Sequence, residues 1–366
     1  MTAQRPMKFG FQVGPVNITD DQTTMYREVV EDAKLGEALG YDAVFMLEHH
    51  FSNYYPAPSP LLFLSHIAAH CPKLGLGTGV LVLPWYQPLR VVSELNMLSH
   101  LTDRELHIGI GRGNAKLEYE AFGIDQDHGR EMLEEGLRFI QSAYGPQPFQ
   151  FQGDYYRMDR EVTLYPGAAR QATFYSAIGD PAKAGRAAEM GVPPLCLANF
   201  PDRYLEGIVT NWKQRAEELG MSTDVNIPLQ IKCFIADSYE EAVAEAKEYL
   251  PITFIEQVKH YESDKRDFSQ EVGYAAFQKM FETLRKFQDP ANLDPYINMQ
   301  LVGTPQQVIE RVERLREIGF NYLIIQSASV GLPSHVRQQS LRRFAQDVMP
   351  HFGQGAFAGD AQTAVA

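Results

Sequence analysis

Eight short apolar runs, each followed by a longer amphipathic stretch, recur along the 366 residues of the chain. The runs are Lys8–Val13, Ala43–Leu47, Leu76–Val82, Leu106–Ile110, Thr173–Ser176, Leu195–Leu197, Gln230–Ala236 and Tyr322–Gln326. Helical patterns lie between them at Gln22–Leu39, Arg90–His100, Gly129–Tyr144, Ala182–Met190, Pro201–Leu219, Tyr239–Leu250 and Pro305–Ile318. Leu35, Ala38 and Leu39, closed by Gly40, carry the 3.6-residue period with a glycine stop. Continuously apolar strands flanked by helices predict a parallel sheet covered on both faces. Eight such units predict a closed (β/α)8 TIM barrel, with a doubly wound sheet as the alternative.

Two segments exceed the repeat. Pro146–Pro166 contains FQFQGDYYRM and predicts a hairpin around Gly153–Asp154. Pro251–Met299, after the seventh strand, adds an aromatic-rich helix with a Pro-, Asn- and Asp-rich exit. An insertion at the catalytic end of a barrel reads as a lid. Residues 1–352 thus read as one barrel domain with 251–299 as its lid, and the Gly- and Ala-rich 353–366 as a disordered tail.

The formal net charge of −13 argues against nucleic acid or an anionic membrane as partner. No apolar run is long enough to span a bilayer, and Met1 to Pro6 lacks the apolar core of an export signal. Cys71, Cys196 and Cys233 are too scattered for a disulfide framework or a structural zinc site. A reduced, cytoplasmic protein is expected. If its ligand carries a phosphate, the chain must build a local cationic site against its own acidic field.

Function in a barrel sits at the carboxyl ends of the strands. After strand two stands Glu48-His49-His50-Phe51. Adjacent residues on a strand face opposite ways, so only one imidazole enters the barrel mouth if the strand continues. A catalytic imidazole is the favoured reading, because histidine alone titrates near neutral pH unperturbed. A structural histidine bonded to Glu48 or to backbone is the alternative. No His-x-His spacing or nearby carboxylate cluster supports a metal, so none is expected.

Strand four ends in Gly109-Ile110-Gly111-Arg112-Gly113, which does not fit the dinucleotide spacing G-x-G-x-x-G. Small residues there let a flat ligand approach the backbone. Arg112, with Arg130 at the start of the next helix, suits a phosphate, since each guanidinium presents a bidentate fork. The alternative is two surface arginines paired with Glu118 or Asp127. After strand five, Gly179-Asp180-Pro181 reads as a helix cap, with anion binding at the helix start as the second reading.

These pieces, in this order, resemble the bacterial-luciferase-like flavin-dependent monooxygenase family, including the luciferase α-subunit. The resemblance runs from KFGFQV to DVMPHF and is carried by LGYDAVFMLEHHF, VLVLPWYQPLRVV, GIGRGNAKLEYEAFGIDQDHGR and VGTPQQVIERV. It implies a reduced FMN that reacts with O2 through a C4a-peroxyflavin and oxygenates a small, largely apolar aldehyde or ketone. His49 would be the catalytic imidazole. Arg112 and Arg130 would hold the FMN phosphate, with Gly179 and Asp180 at the same corner. Gly79 and Val80 would form the shelf under the flavin ring, through a non-prolyl cis peptide. Gly111 stands where luciferase has a reactive cysteine, so light emission is not implied. Asp180 departs from the Ser or Thr usual near the phosphate. Trp85, Tyr86 and Phe51 are candidate pocket walls.

The resemblance also implies a dimer. The chain lacks a nicotinamide fingerprint, so a separate flavin reductase is expected as the source of reduced FMN. The alternatives are an F420-dependent dehydrogenase or reductase on the same fold and a non-catalytic flavin-binding subunit.

Overall fold

The computed structural model describes residues 5–16, 21–267 and 277–356. Strands β1 (Lys8–Val13), β2 (Ala43–Met46), β3 (Gly75–Val82), β4 (Leu106–Gly111), β5 (Thr173–Ala177), β6 (Pro194–Leu197) and β7 (Pro228–Ile235) pair in parallel, in chain order. The ring closes through β9 (Tyr322–Gln326), which lies between β7 and β1. The expected (β/α)8 barrel is therefore present, with the expected strand positions displaced by at most two residues. One strand was not foreseen. β8 (Leu301–Gly303) pairs only with Cys233–Ile235 of β7 and stands outside the ring. Three residues are too few to stand out as an apolar run.

Burial on both faces explains why these strands read as continuously apolar: all eight residues of β7 are buried. Inside the ring Phe45, Tyr175, Leu195, Tyr322 and Ile324 form one packed layer. A barrel of this size is filled by side chains, so the floor of any cavity at its mouth is solid.

The helices outside the ring are α1 (Gln22–Ala38), α2 (Pro60–His70), α3 (Pro88–Leu101), α4 (Lys116–Phe122), α5 (Gly129–Ala143), α6 (Ala184–Glu189), α7 (Asp202–Glu218), α8 (Tyr239–Tyr261), α9 (Phe277–Lys286), α10 (Asp294–Ile297), α11 (Pro305–Ile318) and α12 (Ser334–Arg343). The 146–166 segment forms the expected hairpin. Phe149 pairs with Val162 and Gln152 with Arg157, and Gly153 N–H donates to Tyr156 O at 3.0 Å.

Helix α8 differs from expectation by running eleven residues past Leu250, through Pro251. A proline inside a helix removes one backbone bond and usually kinks or ends it. Here the apolar face on both sides of Pro251 is buried, and Phe254 packs on Phe287 and Tyr296 with ring centroids 5.3 and 5.1 Å away. That packing carries the helix onward and brings His260 and Tyr261 to the barrel mouth. The rest of the 251–299 segment contains α9 and α10, while 268–276 lies outside the described residues. The first residues of the expected tail are packed: Ala356 N–H donates to Leu39 O at 3.1 Å. Residues 357–366 lie outside the described residues.

Candidate functional site

A cavity of about 280 Å³ opens at the carboxyl ends of the strands. Its wall includes His49, Gly79, Val80, Gly111 and Arg112. A second recess of about 120 Å³ holds Arg112, Arg130, Gly179 and Asp180. Arg112, Ala177, Ile178, Gly179, Phe200 and Met280 line both, so the two spaces are neighbours.

The chain leaves β2 at Met46, and the next three polar residues are sorted by their partners. Glu48 is buried and fastens the end of β2 to β3. Its carboxylate accepts from Val82 N at 2.8 Å and from Tyr86 O–H at 2.6 Å, and His50 Nε2 lies 3.1 Å away. Burial raises the Glu48 carboxyl above its ordinary range, and the bonds from His50 and Tyr86 oppose that rise. His50 is wedged between Trp85 and Phe122, with centroids 5.3 and 4.9 Å away, and is not part of the cavity wall. His49 faces the cavity. The two imidazoles do diverge, but β2 has ended at Met46, so their partners sort them and not strand alternation.

His49 does not stand alone. Its Nδ1 is 3.7 Å from Glu118 Oε1, and His260 Nε2 is 3.5 Å from the same oxygen. Glu118 accepts a hydrogen bond from His50 N at 2.6 Å. His260 Nδ1 is 2.7 Å from Ser52 Oγ. Tyr54 packs on both histidine rings, at 4.9 and 5.3 Å. Burial pushes both imidazoles down to about 3, so they stand neutral near neutral pH, and it pushes the Glu118 carboxyl up. One oxygen of the Glu118 carboxylate is thus directed at the two histidines and the His50 N–H.

The floor is set by β3. Its register with β4 shifts between Thr78 and Leu81, and the Gly79–Val80 peptide within that shift is cis. Gly79 O accepts from Gln230 Nε2 at 3.1 Å. Gln326 Nε2 in turn donates to Gln12 Oε1 at 2.7 Å and to Gln230 Oε1 at 3.0 Å. Three glutamines from three strands thus brace the shelf. Closeness to the backbone is what needs glycine here. A Cβ on Gly79 would lie 2.3 Å from Gln230 Nε2, and one on Gly111 would lie 2.7 Å from Val80 Cγ2.

The recess is cationic. Arg112 follows β4, Arg130 is the second residue of α5, and Lys183 and Arg186 join them from the turn and helix after β5. Burial lowers the Lys183 pKa, and the charges of Arg130 and Arg112 lower it further. Arg186 is engaged with Glu134 through two bonds of 2.9 and 3.0 Å. Asp180 is the cap that its Asp-Pro context indicated. One oxygen accepts from Ala182 N at 3.0 Å, and the other lies 3.8 Å from Lys183 Nζ. Its charge is therefore partly answered on the protein.

Lys232 also lines the cavity, fully buried, with Nζ donating to Ser329 Oγ at 2.9 Å and to Tyr55 Oη at 3.3 Å. Burial lowers its pKa to about 7. Of the candidate walls, Trp85 lines the cavity, whereas Tyr86 is bound to Glu48 and Phe51 is 58% exposed.

Sequence reasoning missed Glu118 as a partner of His49, and also His260, Lys183, Arg186, Lys232 and the glutamine brace. Gln230 and Lys232 carried a readable signal. Two polar residues spaced i, i+2 in an otherwise apolar strand point to one face. His260 carried none, because only the unforeseen length of α8 brings it to the mouth.

A closed (β/α)8 barrel with its cavity at the carboxyl ends of the strands is an enzyme architecture. The family model for luciferase-like monooxygenases matches residues 7–322, and the chain belongs to that family. It is similar to the oxygenase component of flavin-dependent trigonelline monooxygenase from Acinetobacter baylyi, with 25% identity over 358 residues, covering 95% of this chain and 96% of that one. Among solved structures it is similar to the oxygenating constituent of 3,6-diketocamphane monooxygenase of Pseudomonas putida, solved with FMN. There the TM-score is 0.74 at 19% identity, over 94% of this chain and 99% of that one. An F420-dependent secondary alcohol dehydrogenase gives a TM-score of 0.72 at 15% identity, over 94% and 98%. Among the described residues no helix is long and apolar enough to cross a membrane.

Proposed function

We propose that the protein is the oxygenase of a two-component flavin monooxygenase. It takes reduced FMN from a separate reductase and transfers oxygen from O2 to a small, largely apolar aldehyde or ketone. The observation that carries this reading is the continuity of the two spaces. A room walled by His49, by aromatic and aliphatic side chains and by polar groups such as Gln230 and Lys232 adjoins a recess holding Arg112, Arg130 and Lys183. That shape fits a flat ring with an anionic tail. Gly79 and Gly111 both line the room, where a flat ring can lie against β3 and β4, and the cations fit a phosphate dianion.

Reduced FMN, when bound, supplies the two electrons O2 needs, so that one oxygen atom enters the substrate and the other leaves as water. The chain's own residues do the rest. The Gly79–Val80 shelf, braced by Gln230, orients the ring. Arg112 and Arg130 hold the phosphate, with Gly179 and Asp180 bounding that corner. His49, neutral and at the cavity wall, accepts a proton from the reacting oxygen or substrate and returns it. Trp85, Phe254, Phe281 and Leu284 line the cavity and exclude water. Phe254 comes from the continuation of α8 and Phe281 from α9, both within the span expected to cover the mouth. Helices α2 and α3, which pack together, expose Leu62, Met97 and Leu101 and offer a dimer contact.

The competing reading is hydride transfer with F420, supported by the likeness to the alcohol dehydrogenase. Parallel anaerobic titrations with reduced FMN, oxidised FMN and F420 separate the two. Tightest binding of reduced FMN, followed by oxygen-dependent turnover of an aldehyde or ketone panel, is expected. Binding of F420 alone would transfer the protein to the dehydrogenases.

A further inference from the structure

The corner behind His49 holds two groups, Glu118 and His260, that the proposed reaction does not use. His49 Nδ1, His260 Nε2 and a Glu118 carboxylate oxygen all lie within 4.8 Å of one another. The oxygen is 3.7 Å from one nitrogen and 3.5 Å from the other. Both nitrogens are buried and have no hydrogen-bond partner among the described residues. An unsatisfied buried polar atom costs about 1–3 kcal/mol, so two of them facing one carboxylate mark a gap that calls for an occupant.

The spacing identifies its kind. Ligand atoms about 2.0–2.2 Å from a tetrahedral ion lie roughly 3.3–3.6 Å apart. The two carboxylate–imidazole separations are already within a few tenths of an ångström of that, and only the two nitrogens have further to close. His260 is fully buried and its ring is held from behind. Ser52 Oγ lies 2.7 Å from Nδ1. With Nδ1–H donating to Ser52 Oγ, the Nε2 lone pair faces Glu118. A metal-bound histidine is fixed by its second nitrogen in this way. The ligand types, two imidazoles and one carboxylate, suit a borderline divalent ion.

We propose that His49, Glu118 and His260 form a three-ligand site for a divalent transition-metal ion of the Zn2+ or Co2+ type, with its fourth position toward the cavity. Bound there, the ion engages the Nδ1 lone pair of His49 and joins the end of α8 to the loop after β2. Oxygenation by the metal-loaded protein is therefore inhibited, and a chelator restores it. This consequence rests on the proposed role of His49, whereas metal binding itself does not.

The test uses the full chain, freed of metal by chelation and without flavin. Zn2+ is titrated by calorimetry, and Co2+ by its visible ligand-field bands. One ion per chain with a tetrahedral Co2+ spectrum is expected. Affinity should fall at least about 100-fold in His260→Ala and about 10-fold in Ser52→Ala, which keeps all three ligands. Ser52→Ala also covers the case in which His260→Ala does not fold. His66 and His70, exposed one turn apart on α2, are the control. Binding that survives both Ser52→Ala and His260→Ala but is lost in His70→Ala would overturn the proposal, as would an octahedral, water-like Co2+ spectrum. Absence of metal binding would leave the flavin titrations unaffected, so the two readings fail separately.

Discussion

At one side of the barrel mouth, His49, Glu118 and His260 are packed away from water. At the other, Arg112, Arg130 and Lys183 stand half-exposed around a recess. The first side keeps its imidazoles uncharged by burial, and the second concentrates positive charge on a chain whose net charge is −13. A dry side can pass a proton between bound groups without exchanging it with solvent. A wet, cationic side can bind and release an anion without a large desolvation cost. One barrel end thus offers the two environments that flavin chemistry needs, and they can be perturbed separately.

The largest separation is expected at His49. His49→Ala should reduce oxygenation of a substrate found by panel screening by about 10²–10⁴-fold, the usual range for general acid–base help. FMN affinity should stay within a few-fold, and the consumed O2 should reappear as hydrogen peroxide. His50→Ala should lower thermal stability instead, since His50 lies against Trp85 and Phe122 away from the cavity. Intact turnover in His49→Ala with loss in His50→Ala would exchange their roles.

Lys232 tests how dry the first side is. Its folded pKa of about 7 lies below the ordinary lysine value. Between about pH 7 and 10 the unfolded chain holds this proton and the folded chain does not, so stability rises with pH across that window. At about 1.4 kcal/mol per pKa unit, wild type should gain on the order of 3–5 kcal/mol over Lys232→Met from pH 7 to 10 in denaturant titrations. A constant difference would mean that the ammonium is solvated.

On the wet side, Arg112→Ala should weaken FMN by about 1.5–3 kcal/mol, the worth of a hydrogen bond to a charged group, and leave riboflavin nearly unaffected. Equal weakening of both ligands in calorimetry would make Arg112 structural. The smallest effect is expected at Asp180. Asp180→Asn removes a carboxylate from the recess while keeping a capping oxygen, so stability should change by less than about 1 kcal/mol and FMN should bind slightly more tightly. Weaker FMN binding would show that Asp180 orients Lys183 toward the phosphate.

The two sides also differ in how far the sequence foretold them. Arg112 and Arg130 were legible because each sits just after a strand or at the start of a helix, where local pattern fixes position. His49 was legible for the same reason, whereas its separation from His50 comes from their different partners, since β2 ends at Met46. His260 was not legible. It reaches His49 only because α8 continues through Pro251, and tertiary packing of Phe254 decides that continuation, not local propensity. Glu118 was visible as a residue, but its place beside His49 was not. Its distance from His49 in the chain concealed a contact made only when β2 and β4 take their places in the ring. The barrel itself was readable because eight apolar runs recur with helices between them. The three-residue β8 was hidden because it adds to β7 without closing anything.

The central claim, that this mouth holds reduced FMN and protects its reaction with O2 from water, is tested by one stopped-flow experiment. Protein loaded anaerobically with reduced FMN is mixed with aerated buffer, and flavin absorbance is followed beside hydrogen peroxide release. The account requires a transient spectrum distinct from reduced and oxidised FMN, persisting well beyond the oxidation of free reduced FMN, with peroxide appearing only as it decays. Direct conversion to oxidised FMN at the free-flavin rate, with immediate peroxide, would contradict it.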